Sequence, residues 1–182
     1  MNVKPLIVFF VSHSMEFPIK NKVAESGIIT IDLEDFFPKE ESVLFDIKEY
    51  LFMEMILKEK DFREKLKQAN WEKYRNKNVG IICSGDAIIP LWAYMLITAY
   101  LQPIAAGVVA GNLQQLEKSL ILKNIQQLNP QNYIDARVVI KGCGERSIEP
   151  YAYTEITRVL LPVVKSIMYG EPCSAVPVFK KK

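Results

Sequence analysis

Three cysteines, Cys83, Cys143 and Cys173, are the residues of this chain best suited to chemistry. A thiolate is both a strong nucleophile and a soft metal ligand. Each thiol has small neighbours, in Cys83-Ser84-Gly85-Asp86, Gly142-Cys143-Gly144 and Gly170-Glu171-Pro172-Cys173-Ser174. Glycine there lets the backbone come close to a ligand. Three converging thiolates would suit zinc or an iron–sulfur cluster, with a fourth position for Asp86, a water or a ligand from another molecule. The spacing has no paired Cys-x-x-Cys knuckle, because the cysteines stand dozens of residues apart. Two other readings therefore stay open. The thiols only pack, as free cysteines often do, in a non-catalytic interaction protein, or one of them, Cys83 or Cys143, reacts as the centre of a thiol enzyme or sulfur carrier.

The reactive reading rests on Cys83 lying at the start of a helix, where the dipole lowers a thiol pKa. It lacks a base. The sole histidine, His13, precedes the expected domain, so Cys–His, Ser–His–Asp and histidine-rich metal sites are all disfavoured. Asp86 is either that fourth ligand or the cap of the following helix, capping being the commoner role. Gly142-Cys143-Gly144-Glu145-Arg146-Ser147 is a broken dinucleotide fingerprint, with Ser147 in place of the third glycine. No acidic strand end follows it at the required distance and the chain has no phosphate loop, so no nucleotide is expected. Arg146 remains a candidate anion contact beside a helix N-terminus.

These residues need elements to hold them. Ile28 to Leu33 and Ser42 to Ile47 read as strands, and Glu49 to Gln68 as a helix with Leu51, Met55, Phe62 and Leu66 at helical spacing. Its outer face places Glu59 four residues before Arg63, the favourable order for an ion pair. Val79 to Cys83 is a short apolar strand leading into a helix from Ala87 to Leu101, apolar nearly all round and so expected to be buried on most sides. Pro90 falls in its first turn, where proline is tolerated. Trp92, Tyr94 and Tyr100 then read as core. Val108 to Ala110 is the next strand, Gly111-Asn112 the turn and Leu113 to Lys123 the helix.

Arg137 to Lys141 is the last clear strand, followed by a helix from Ile148 that Pro162 bends or ends and Gly170 closes. Tyr151 and Tyr153 near its start want polar partners if buried. Glu171 to Lys182 reads as extended or irregular. The chain shows no internal repeat and no linker. Alternating strands and helices with purely apolar strands predict a single layered α/β domain with a mostly parallel sheet flanked by helices. Ligands of such sheets bind beyond the carboxyl ends of the strands, where Cys83 and Cys143 fall.

With 182 residues, 49% hydrophobic and 24% charged, the chain can bury a core, which argues against disorder. Lys plus Arg is 23 against 21 for Asp plus Glu, but three of those lysines are Lys180, Lys181 and Lys182. Without them the balance is acidic by one charge, which leaves little room for a nucleic-acid stripe. Leu6 to Val11 is too short for a signal peptide or a membrane helix, so no membrane association is expected. Met15 opens a stretch that reads as a natural start, making residues 1–14 an extension outside a domain over 15–182. Widely spaced cysteines suit a reducing, cytoplasmic compartment, and a homo-oligomer is compatible with the length.

Three stretches resemble an uncharacterised bacterial family, domain of unknown function 2480. They are Cys83-Ser84-Gly85-Asp86-Ala87-Ile88 with Pro90, Trp92 and Tyr94; Val139-Ile140-Lys141-Gly142-Cys143; and Lys165 to Ser174, which contains Tyr169-Gly170-Glu171-Pro172-Cys173. Leu57 to Arg63 is similar too, and the resemblance spans Met15 to Lys182. It implies no reaction. It implies association with the sulfur-mobilisation machinery of iron–sulfur assembly, and so candidate partners among those assembly proteins.

Overall fold

Asp32 and Asp46 end two short strands in the same way: each carboxylate accepts the amide proton two residues on, from Glu34 and Lys48, at 3.0 Å. Both strands thereby turn into one turn of 3-10 helix, Leu33–Phe36 and Ile47–Tyr50. A computed structural model describes residues 27–142, 146–171 and 174–182. Its strands are β1 (Ile28–Asp32), β2 (Ser42–Asp46), β3 (Asn78–Ile82), β4 (Gly107–Ala110), β5 (Arg137–Lys141), β6 (Ser166–Tyr169) and β7 (Val176–Lys180). Its α-helices are α1 (Glu59–Gln68), α2 (Leu91–Leu101), α3 (Leu113–Gln126) and α4 (Pro150–Leu160).

The fold is α/β as expected, but with two sheets where one was expected. One is β2-β3-β4, parallel throughout; the other is β1-β5-β6-β7, parallel except for antiparallel β7. Phe62 and Leu66 of α1 and Ala93, Ile97 and Leu101 of α2 form a core with Phe45, Val79 and Ile81 of the first sheet. Ile121 and Ile125 of α3 and Ala152, Ile156 and Leu160 of α4 form a second core with Ile31, Val138, Ile140 and Ile167. Helix α3 serves both sheets, because Leu120 on its other side approaches the backbone of Gly107 in β4. The layers therefore run helix, sheet, helix, sheet.

Several expected boundaries move. The predicted helix from Glu49 begins only at Glu59. Before it, Phe52 and Ile56 pair as an antiparallel bridge around Met53 and Glu54, whose positive φ angles of 51° and 60° exclude an α-helix. The Glu59–Arg63 pair forms at 3.0 Å. Helix α2 starts at Leu91 with Pro90 as its N-cap, and it is not buried on most sides, since Leu91 is 81% and Met95 73% exposed. Trp92, Tyr94 and Tyr100 do pack against the first core. Helix α4 ends at Leu160, two residues before Pro162. Residues 166–169, expected as its continuation, are strand β6, which Gly170 closes at a φ of 114°. The irregular tail contains β7.

The expectation of no internal repeat is wrong. Each of β3, α2, β4 and the 3-10 turn Trp71–Tyr74 has a counterpart of identical length starting 59 residues later, in β5, α4, β6 and Pro130–Tyr133. Asn70, Tyr74, Val79, Ile81, Ala93, Tyr94, Ile97, Thr98, Leu101, Pro103 and Gly111 recur at that spacing as Asn129, Tyr133, Val138, Ile140, Ala152, Tyr153, Ile156, Thr157, Leu160, Pro162 and Gly170. The closures match too. Gly111 donates its amide to the Ile81 carbonyl at 2.9 Å, and Gly170 to that of Ile140 at 3.0 Å. Asn76 and Asp135 occupy the same left-handed turn position, at φ 57° and 53°. The fold is thus two copies of one strand–helix unit. Strand β2 opens the first, and β1, which precedes it in the chain, opens the second.

Candidate functional site

Helices α3 and α4 run side by side in the same direction. Gln114 donates to Glu149, the N-cap of α4, at 3.1 Å, Lys118 lies over the Tyr151 ring at 5.2 Å, and Gln126 donates to Glu155 at 2.8 Å further along. Because α3 starts at the carboxyl end of β4 and α4 just beyond that of β5, both sheets present their carboxyl ends at one end of the molecule. Cys83 sits there, one residue past β3, and Gly142 and Gly170 leave β5 and β6 there.

Around Cys83, Asp46 is the organising group. It accepts from the Ser84 amide at 3.1 Å and the Ser84 hydroxyl at 2.5 Å, besides the Lys48 amide. Partial burial pushes its pKa up, but the bonds from Ser84 and Lys48 together outweigh this and hold it below the usual carboxylate value. That depressed value has a sign. Asp46 stabilises the fold above its ordinary pKa near 3.8, and the contribution is lost as pH falls through the lower folded value. Asp46→Asn is therefore expected to destabilise the protein at neutral pH, the gap to the wild type in urea titrations closing as the pH falls through the lowered Asp46 pKa.

The Cys83 thiol is half-buried and donates to the Gly85 carbonyl at 3.6 Å. It lines an open cleft of about 630 Å³ with Ile81, Tyr94, Ala110, Asn112 and Gln115. The helix-dipole argument for Cys83 does not hold, because α2 begins eight residues later. For the same reason Asp86, exposed in the loop, does not cap that helix.

The second unit repeats the cleft. Ile140, Pro150, Tyr153 and Tyr169 line a space of about 420 Å³ at the positions equivalent to Ile81, Leu91, Tyr94 and Ala110. Its lining is mainly apolar, with Ile148, Ile167 and Val178 completing it. The Tyr153 hydroxyl donates to the Gly142 carbonyl at 3.2 Å, the polar partner its phenol was expected to need, and its ring meets Tyr169 edge-on at 5.7 Å. A Cβ at Gly142 would collide with that hydroxyl, so a larger residue there would have to push the Tyr153 side chain aside. Nearby, Lys141 lies 3.6 Å from both Glu171 and Asp32, and those two charges, Glu171 foremost, raise its pKa.

Cys143 and Cys173 lie outside the described residues, as do His13 and residues 1–14. Among the described residues no three His, Cys, Asp or Glu side chains gather where they could hold a metal ion. The helical layer of α3 and α4 stands between the sheet end that carries Cys83 and the one that leads to Cys143 and Cys173. Arg146 donates its backbone amide to Glu34 at 3.1 Å, and its guanidinium lies 5.0 Å over the Phe37 ring. Sequence reading missed Asp46, Lys141 and the pairing of the two clefts. The signal was present in the shared pattern of Ile28-Ile-Thr-Ile-Asp32 and Ser42-Val-Leu-Phe-Asp46, each an apolar strand closed by aspartate.

Among the described residues no helix is long and apolar enough to cross a membrane. A family model described as Protein of unknown function (DUF2480) matches residues 18–181, which leaves the expected extension of residues 1–14 outside it. No curated protein and no solved structure matches the chain.

Proposed function

From the premise that the chain belongs to the DUF2480 family, we propose that it is a cytoplasmic accessory protein that holds a thiophilic metal, zinc or an iron–sulfur cluster, through its cysteines. The observation that carries this reading is the join of β5 and β6. They are parallel neighbours, closed by the Gly170 amide on the Ile140 carbonyl, and they lead into Cys143 and Cys173. Cys143 follows Gly142 directly and Cys173 stands three residues past Gly170. At about 3.8 Å per residue, both are tethered within reach of one strand end. Thiolates from adjacent strand ends are the donor type that zinc and iron–sulfur clusters take. Cys83, the third candidate, leaves the other sheet, and its thiol already has the Gly85 carbonyl as a partner. Bound there, zinc would brace the strand ends, or a cluster would be passed to assembly proteins, the partners its family resemblance suggests.

The test is elemental analysis and an absorption spectrum on protein purified without oxygen or chelators, beside Cys83→Ser, Cys143→Ser and Cys173→Ser. Near-stoichiometric zinc or iron is expected, lost in both Cys143→Ser and Cys173→Ser. Metal-free wild type, or metal retained in both variants, would overturn the reading.

The setting of Cys83 favours a second reading, a thiol that reacts with a ligand in its own cleft. Alkylation against pH addresses it: faster modification of Cys83 than of a free model thiol supports the idea, and uniformly slow modification ends it.

A further inference from the structure

Comparison of the two units exposes a difference at one strand edge. In the second unit β6 has neighbours on both sides, β5 and the antiparallel β7. Its counterpart β4 pairs only with β3 among the described residues. The Gly111 amide is turned toward β3, onto Ile81, so alternation along the strand turns the N–H and C=O groups of Val108 and Ala110 the other way. The equivalent residues of β6, Ile167 and Tyr169, face Phe179 and Val176 of β7. Beside β7, the α4 residues Pro150 and Thr154 line the cleft that Val178 completes. The same two positions of α2 hold Leu91 and Met95, both largely exposed. An apolar helix flank thus borders an edge with one partner.

We propose that a second copy of this chain closes the β4 edge, two β4 strands pairing across a two-fold axis to join two three-stranded sheets into one of six strands. A two-fold axis pairs a strand with itself in the antiparallel sense, which is the sense β7 takes against β6. Charge permits this self-pairing. Strand β4 reads Gly-Val-Val-Ala and α2 contains no charged residue, so neither the strand nor this helix brings like charges to the axis. The edge also lacks the lysine or proline that commonly guards an exposed strand. Leu91 and Met95 of each copy would be covered by the other.

Sedimentation velocity on the full chain at about 100 µM tests this, with Met95→Lys and Ala110→Pro as variants and circular dichroism to confirm their folding. Met95 is exposed, so lysine there leaves the core intact and sets like charges opposite each other. Proline at 110 removes an outward N–H and no bond to β3. The wild type is expected to be a dimer, with slow hydrogen exchange at the Val108 and Ala110 amides. Met95→Lys is expected to weaken the dimer by at least ~30-fold, as loss of an interface hot spot does, and to free those amides. A monomeric wild type overturns the proposal. If its amides are nevertheless protected, another segment or an extended peptide occupies the edge. A dimer that both variants leave intact overturns it equally.

Discussion

Phe45→Ala is expected to cost about 4 kcal/mol, the range measured when a fully buried phenylalanine is truncated in a core. Phe45 is completely buried, and its ring is the second of four in one column. Tyr50 stacks on it at 4.9 Å, Trp71 at 5.5 Å on the other side, and Tyr100 on Trp71 at 4.8 Å. Trp71 is fixed by its indole N–H on the Leu66 carbonyl at 2.8 Å, so the column has little freedom to collapse into the cavity. Native domains hold only about 5–15 kcal/mol in total, so the variant should unfold at much lower urea. Ile31 fills the equivalent place in the second unit without such a column, and Ile31→Ala should cost less, about 2–3 kcal/mol. The reverse ranking in paired urea titrations would show that the ring column relaxes to fill the space left by Phe45.

Gly80→Ala should cost about 2–3 kcal/mol through overpacking, although alanine is elsewhere the better strand residue. A Cβ at Gly80 would lie 2.6 Å from the Gly111 carbonyl oxygen and 2.9 Å from Leu44. The first of these is backbone at the turn that launches α3, and it cannot swing aside as a side chain could. The counterpart of Gly80 in the second unit is Val139, which shows that the strand itself tolerates a branched residue there. The demand for glycine comes from the α3 turn on that face of the first sheet. Unchanged thermal stability in Gly80→Ala would mean that α3 sits further from β3 than described.

Much of this was legible in the sequence. Apolar runs of β-branched residues placed β3, β4 and β5 to within a residue, because strands buried in parallel sheets carry little else. The boundaries that failed did so where helical and extended patterns coincide. Leu51 and Met55 have helical spacing, yet the backbone at Met53 and Glu54 turns left-handed, which spacing does not report. Lys165 to Gly170 reads as a continuation of the helix because residues 166–169 are too few to show alternation. The duplication is hard to read from the sequence because many of the residues it repeats are buried ones, Val79 and Val138 or Ile97 and Ile156, which any α/β chain would carry. At the site, the glycine-flanked loops and their place at the carboxyl ends were readable. The hydrogen bonds of Asp46 and the Tyr153 hydroxyl over Gly142 were not, since they join residues far apart in the chain.

The order of the strands bears on synthesis. Strand β1 leaves the ribosome first among the described strands, yet its partner β5 begins at Arg137. In between, the whole first unit emerges and can close on itself, because β2, β3 and β4 are contiguous with their helices. At about 5–20 residues per second, β1 therefore waits some five to twenty seconds for its neighbour. During that interval an apolar segment, Ile28-Ile29-Thr30-Ile31, travels unpaired beside a finished half. Non-local pairings of this kind fold slowly, and premature arrest between β4 and β5 would leave a truncated product with a compact first half and a sticky leading end. Quality control would meet the chain at that point.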